Sequence, residues 1–143
     1  ATVLEKLCSS FPENTAKYCI ITSDIIGTNG RNVEIKRLEF VGNGLENHEG
    51  AKKKLVAYTS NSYEFITRAN AMSALRKLNY FDETLLNNCI NACLSSNGRL
   101  ASPANETIRY FYGQAQHKKL ISDKIKSFEG KNWEKEILNR LIQ

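Results

Sequence analysis

Residues 49–78 have the sequence EGAKKKLVAYTSNSYEFITRANAMSALRKL, and this pattern recurs 35 residues further along the chain. The matched positions keep the same residue or the same polarity: Leu55 with Ile90, Ala57 with Ala92, Ser60 with Ser95, Phe65 with Leu100, Ala69 with Ala104, and Asn70 with Asn105. A period of this length is that of one helix-turn-helix unit in a repeat protein. The tripeptide Asn-Gly-Arg also occurs twice, at 29–31 and 97–99, about two periods apart. These recurrences predict a stack of helical hairpins.

Three hairpins account for most of the chain, with starts near Asn14, Glu46 and Asp82. We therefore expect an all-α fold of stacked antiparallel helical hairpins, wound into a superhelix, in a single repeat domain of residues 1–143. The length of 143 residues and the composition, 41% hydrophobic and 24% charged, are those of one globular domain. No apolar run approaches the ~20 residues that cross a bilayer, so no membrane partner is expected. The opening ATVLEKL has neither an initiator Met nor a signal-peptide pattern, so we expect either a piece of a larger protein or a chain whose leader was removed.

Apolar spacing from residue 46 onward indicates helices of ordinary length. It predicts one helix over about 46–59 and another over about 63–78, the second apolar around much of its circumference. Asp82 is placed to cap the next helix. The apolar stripe of that helix is regular: Leu85, Leu86, Cys89, Ile90, Cys93 and Leu94.

The remaining helices are predicted from caps and stops. Ser102 and Pro103 form a cap and first-turn pair for a helix that carries Ala104, Ile108, Phe111, Tyr112 and Ala115. The following stripe consists of Leu120, Ile121, Ile125 and Phe128, and Gly130 ends that helix. Asn132 caps a last helix, whose apolar residues are Trp133, Ile137, Leu138, Leu141 and Ile142.

The stretch before Gly42 permits two interpretations. In the helical one, residues 2–11 form a helix that Pro12 ends, a second helix runs from Asn14 to Gly27, and a third carries Ile35, Leu38 and Val41 at three-residue spacing. The alternative is an α+β fold, in which a β-hairpin over 17–41 turns at Asn29-Gly30 and precedes a C-terminal helical bundle. We favour helices, because the same Asn-Gly-Arg at 97–99 joins two segments of helical periodicity.

The segment TRANAMSALRKLN, residues 67–79, resembles the second helix of a HEAT or armadillo repeat. In that helix an Arg precedes small residues and a spaced Ala-x-x-Ala-Leu packs against the neighbouring unit; here the residues are Arg68, Ala69, Ala71, Ala74 and Leu75. The likeness extends over roughly 14–117 at repeat level, and Pro103 departs from it by standing where the Arg would be. The resemblance implies a module that binds proteins or peptides along a groove. Similar helical stacks also form the C-terminal accessory part of zinc peptidases related to aminopeptidase N, which is the alternative parent.

No catalytic, cofactor-binding or metal-binding set is recognisable in the sequence, and whether the parent protein is an enzyme stays open. His48-Glu49 begins like the zinc motif H-E-x-x-H, but Lys52 stands where the second His is needed. Gly42-x-Gly44 lacks the third glycine of a dinucleotide loop. Cys89 and Cys93 share a helix face with apolar residues, so we interpret them as core thiols, which favours a reducing compartment such as the cytoplasm.

The net charge of +5 leaves a nucleic-acid partner open. The basic residues are, however, scattered and mixed with acids, and no aromatic RNA-binding signature accompanies them, so a solvated face is the preferred interpretation. We expect instead a non-catalytic interaction or scaffolding module, which binds a protein, a peptide or other domains of its own chain. Its partner surface is predicted on the second helices of the hairpins, with Arg37, Arg68, Arg76 and Arg109 as the candidate contact residues.

Overall fold

The computed structural model of this chain describes residues 28–44 and 49–143. These ranges contain seven helices and no strand: α1 (Thr28–Gly44), α2 (Glu49–Ala57), α3 (Phe65–Lys77), α4 (Glu83–Cys93), α5 (Gly98–Tyr112), α6 (Ala115–Lys126) and α7 (Asn132–Arg140). The all-α prediction is therefore confirmed for the described ranges. The superhelical arrangement of the hairpins stays a prediction.

The N-terminal alternative is decided by α1. The second strand of the alternative β-hairpin would cover 32–41, which is helical, so that prediction is wrong there. Ile35, Leu38 and Val41 are all buried, because their three-residue spacing places them on one face of a helix. The predicted helices over 2–11 and Asn14–Gly27 lie outside the described residues.

Both Asn-Gly-Arg copies lie at the start of a helix, and Asn29-Gly30 does not form the turn of the β-hairpin alternative. The first copy lies in the first turn of α1. In the second copy Asn97 is the N-cap of α5, and its side-chain oxygen accepts a hydrogen bond from the Arg99 backbone N–H at 3.0 Å. Asparagine is favoured at that position because it satisfies one of the exposed N–H groups of the helix end. The two copies thus share a place in the first turn of a helix, and the capping hydrogen bond is that of Asn97.

The 35-residue period agrees with the helix boundaries. Shifting α2 and α3 by 35 residues gives 84–92 and 100–112, which fall within two residues of the bounds of α4 and α5. The chain separates into two compact units, Ala1–Tyr80 and Phe81–Gln143, here called unit 1 and unit 2. The division falls at the end of α3, between two hairpins of the predicted repeat.

In unit 1, helices α1, α2 and α3 pack around one apolar core. Its largest fully buried side chains are Ile35, Leu38, Leu55, Tyr58, Met72 and Leu75. The helix α1 lies parallel to α3, because the contact between Asn32 and Asn70 (3.0 Å) is followed by that between Glu39 and Lys77 (3.7 Å). Gly42 lies inside α1, where an added Cβ would approach Leu78 Cδ1 to 3.0 Å. A glycine here permits close packing of helices, and α1 ends two residues later, at Gly44.

One end of unit 1 is held by alternating cations and aromatic rings. The Lys54 Nζ lies 5.4 Å from the centroid of the Tyr58 ring, which meets the Tyr63 ring edge to face at 4.9 Å. The guanidinium of Arg31 lies 5.4 Å from the Tyr63 centroid and donates a hydrogen bond to Glu64 at 3.0 Å. Such cation–π contacts are worth ~0.5–2 kcal/mol each, depending on desolvation. They tie the start of α1 to the loop between α2 and α3.

In unit 2, α4 packs against α5 and α7, and α6 packs against α5 and α7. The predicted α4 stripe is buried at Leu85, Leu86, Cys89, Ile90 and Cys93, and the predicted cap is confirmed, since Asp82 Oδ1 accepts from the Leu85 N–H at 2.7 Å. The Phe81 ring stacks on Phe111 at 4.9 Å and meets His117 at 4.6 Å. This aromatic cluster closes one end of the unit.

Four predictions in unit 2 need correction, the first being the end of α6, which is Lys126 and not Gly130. The helix α5 begins at Gly98 because Asn97 caps it, so Pro103 is its sixth residue and not part of its first turn. The cap of α7 is Lys131, whose backbone N–H donates to Glu134 Oε1 at 2.8 Å, and Asn132 is already helical. Leu120 and Trp133 were assigned to buried stripes, but 37% and 49% of their surfaces are exposed. No helix of the described ranges is long and apolar enough to cross a bilayer.

Candidate functional site

The four predicted contact arginines occupy different environments. Arg68 is only 6% exposed, and its Nε donates a hydrogen bond to the Thr59 carbonyl at 2.9 Å. Arg37 is half-buried, with Nη1 at 3.7 Å from Glu34 Oε2. Arg76 is half-buried in the last turn of α3, and Arg109 is exposed in the last turn of α5. Three of them therefore belong to unit 1 and one to unit 2, and Arg68 is directed into the fold.

Glu34 is the buried charge that the sequence analysis did not single out. Its side chain is fully buried, and neither carboxylate oxygen has a hydrogen-bond partner. Desolvation raises the pKa of this carboxyl above its ordinary value, while the positive charges of Arg37 and Lys54 act in the opposite direction. Glu34 occupies a core position of α1, so ionisation of its carboxyl destabilises the folded state of unit 1.

Unit 2 contains a groove of about 450 Å³ between α4, α6 and α7. Its volume lies in the usual range of ~300–1,000 Å³ for ligand sites. Helix α4 and its C-cap Leu94 supply one wall, with residues at positions i, i+3, i+4 and i+7, which face the same side of a helix. The lining consists of Asn87, Ile90 and Asn91 from α4, its C-cap Leu94, Lys124 from α6, Ser127 and Phe128 from the following loop, and Glu134 from α7.

The groove has an apolar floor and a polar rim whose charges are largely engaged. The Lys124 Nζ lies 2.6 Å from Glu83 Oε1, and Glu134 Oε1 accepts the Lys131 backbone N–H at 2.8 Å. Ser127 Oγ donates to the Lys124 carbonyl at 3.3 Å. Asn87 and Asn91 are exposed, and each amide offers both a donor and an acceptor. The rim is thus suited to neutral polar groups and not to an isolated ion.

The loop that carries Phe128 depends on Gly130. A Cβ added at Gly130 would lie 2.4 Å from Phe128 Cε1 and 2.9 Å from Glu134 Oε1, distances too short for real contacts. A side chain at this position would therefore displace the Phe128 ring, the Glu134 carboxylate or both. The absence of a side chain at Gly130 keeps both groove residues in place.

Sequence reasoning missed this groove because its lining comes from residues 87–134, on three separate helices. A signal was present in α4, where Asn87 and Asn91 flank the apolar position Ile90. Two amides four residues apart beside an apolar stripe give a helix an edge that is polar but uncharged. The sequence analysis of α4 considered only its apolar stripe.

Among the residues that the structure describes, no group of three or more His, Cys, Asp or Glu side chains is placed to hold a metal ion. Cys89 and Cys93 are buried free thiols, as predicted, and burial raises the pKa of Cys93 to about 12. A thiol with so high a pKa is not a nucleophile near neutral pH. Cys8 and Cys19 lie outside the described residues.

Comparison of the chain with protein-family models, with curated proteins and with solved structures gives no match.

Proposed function

We propose that this chain is a non-catalytic helical interaction module, which binds an extended segment of a partner protein in the groove of unit 2. The observation that carries the proposal is the lining of that groove: apolar Ile90, Leu94 and Phe128 lie beside the amides of Asn87 and Asn91. A peptide presents the same combination, because apolar side chains alternate with backbone amides along its length.

The spacing of the two amides supports an extended ligand. Residues four apart on a helix are separated by ~6 Å along its axis. Backbone groups that point to the same side of an extended chain repeat every two residues, a distance of ~6.6 Å. Asn87 and Asn91 are thus spaced to meet successive peptide groups on one edge of a bound segment. The side chains between those groups would then contact the apolar floor.

Panning a phage-displayed library of short random peptides against the purified chain tests the proposal. We expect enrichment of peptides with aliphatic or aromatic residues at alternate positions. Synthetic versions of enriched peptides should lose about tenfold or more in affinity, measured by fluorescence anisotropy, with Asn87→Ala or Phe128→Ala. A contact worth ~1.4 kcal/mol corresponds to a factor of ten.

Asn139→Ala is the matched control, because Asn139 is an exposed amide of α7 that does not line the groove. Affinity should change by less than about twofold with this variant, as is usual for surface substitutions. Enrichment of no peptide, or peptides whose affinity is indifferent to Asn87 and Phe128, would remove the groove as the binding site.

A further inference from the structure

Residues 1–80, which form unit 1, contain 11 Lys and Arg and eight Asp and Glu, and the positive excess lies within the described part of the unit. Its described residues, 28–44 and 49–80, contain nine Lys and Arg but only four acidic residues, Glu34, Glu39, Glu49 and Glu64. Whatever pairs form within these ranges, an excess of five positive charges remains. Three of the carboxylates already lie beside a cation, since Glu34 faces Arg37, Glu39 faces Lys77 and Glu64 faces Arg31.

The excess charge is not equally available to a partner. At the end of unit 1 where α1 begins, the cations are turned into the fold: Arg68 is buried against the Thr59 carbonyl, Arg31 lies over Tyr63, and Lys54 lies over Tyr58. At the opposite end the basic side chains reach solvent. Lys53 is exposed, and two thirds of the Lys77 side chain is exposed even though Nζ lies 3.7 Å from Glu39.

Three helix ends meet near these cations. An added Cβ at Gly42, near the end of α1, would lie 3.0 Å from Leu78, just after α3, and 3.8 Å from Lys52 Cγ in α2. The Lys52 Nζ in turn lies 5.7 Å from the Tyr80 ring centroid. Lys52 lies at this junction, Lys53 follows it in α2, and Arg76 and Lys77 occupy the last turn of α3, just before Leu78. We call this part of the molecule, with Lys52, Lys53, Arg76 and Lys77, the basic end of unit 1.

We infer that the basic end of unit 1 is a docking surface for an acidic segment of a protein partner. This surface is distinct from the groove of unit 2, and either can fail its test without the other. Lysines suit an Asp- or Glu-rich segment, because a compact ammonium on a flexible stem can follow carboxylates at irregular spacing. Long-range attraction by the excess charge would also speed association.

The observations favour an acidic protein segment over nucleic acid. Glu39 and Glu49 lie among the basic residues of this end, with Glu39 beside Lys77 and Glu49 one helical turn before Lys53. A phosphate backbone carries one charge on every nucleotide, so interspersed carboxylates repel it along its whole contact length. A peptide can place neutral residues opposite those two carboxylates.

The test uses the full chain and a fluorescein-labelled peptide of alternating Glu and Gly residues, with binding measured by anisotropy at low and at physiological salt. We expect salt-sensitive binding, and an increase in Kd of about tenfold or more for the double variant Lys53→Glu, Lys77→Glu. Exposed charge contacts are worth ~0.2–1 kcal/mol each, and reversal replaces attraction by repulsion. The matched control is Lys119→Glu with Lys135→Glu, the same charge change at exposed positions of unit 2. Its Kd should stay within about twofold of the unmodified chain.

A charge-swapped measurement keeps the test decisive if the variant binds weakly for another reason. The Lys53→Glu, Lys77→Glu chain should bind a peptide of alternating Lys and Gly more tightly than the unmodified chain does. An unfolded chain or a disrupted surface would not exchange preference for the acidic peptide with preference for the basic one. The inference is overturned if the acidic peptide does not bind at low salt, or if both double variants weaken it equally. Tighter binding of a single-stranded oligodeoxynucleotide of similar charge, lost with the same unit 1 variant, would replace the acidic protein by nucleic acid.

Discussion

Arg68→Met should lower the free energy of unfolding of unit 1 by ~1.5–3 kcal/mol. The residue is only 6% exposed, and its Nε donates a hydrogen bond to the Thr59 carbonyl at 2.9 Å. Hydrogen bonds that involve a charged group contribute ~1.5–3 kcal/mol each, about twice the value for neutral pairs. Methionine keeps most of the aliphatic length, so the change isolates the polar contact from the packing of the stem. Urea unfolding followed by far-UV circular dichroism measures the loss.

Arg109→Met is the control for this experiment, because Arg109 is exposed and lies on α5 in unit 2. We expect its free energy of unfolding to change by less than ~0.5 kcal/mol, as is usual for surface positions. A loss below ~0.5 kcal/mol for Arg68→Met would refute the assignment of Arg68 as a fold-supporting residue. Arg68 would then again be a candidate contact residue for a partner.

Glu34→Gln should raise stability near pH 7 and have little effect near pH 4, because burial raises the folded-state pKa of this carboxyl above its ordinary value of 4.5. Below pH 4.5 the Glu34 carboxyl is protonated and contributes its full stability, which is lost as pH rises through the folded-state pKa. An equal gain in the free energy of unfolding at pH 4 and pH 7, measured with urea, would contradict this assignment. Leu75→Ala and Ile90→Ala should each cost ~2–5 kcal/mol in the same assay, since both side chains are buried; losses below ~0.5 kcal/mol would mean that the helix faces are wrong. Gly130→Ala should weaken peptide binding by displacing Phe128 while α7 stays helical by circular dichroism, and unchanged affinity would show that the loop accepts a Cβ.

The helices were predictable where one apolar stripe decides the outcome. In α4, the stripe from Leu85 to Cys93 and the cap at Asp82 required only local rules, and both were found as expected. The start of α5 was not predicted because two local signals competed. Asn97 and Ser102 both suit an N-cap, and the choice depends on Leu100, whose burial requires that it already lie in the helix.

The sites were less predictable because they depend on contacts distant in sequence. Arg68 was correctly placed on a helix, but its direction is set by a loop nine residues earlier, which presents the Thr59 carbonyl to it. The groove requires α7 beside α4, an arrangement that no periodicity within either helix encodes. Burial of Glu34 was hidden for a similar reason, since a Glu on an amphipathic helix is ordinarily assigned to the solvent side.

The position of Trp133 determines what the intrinsic fluorescence of this protein reports. It is the single tryptophan of the chain, and half of its surface is exposed on α7, the last helix. Its emission is sensitive to the polarity around that helix. About half of the Trp133 surface already contacts water in the folded chain, so unfolding should change its emission less than that of a buried tryptophan. A small tryptophan signal during denaturation is therefore compatible with complete loss of the helices, and optical experiments on this chain need a backbone signal beside it.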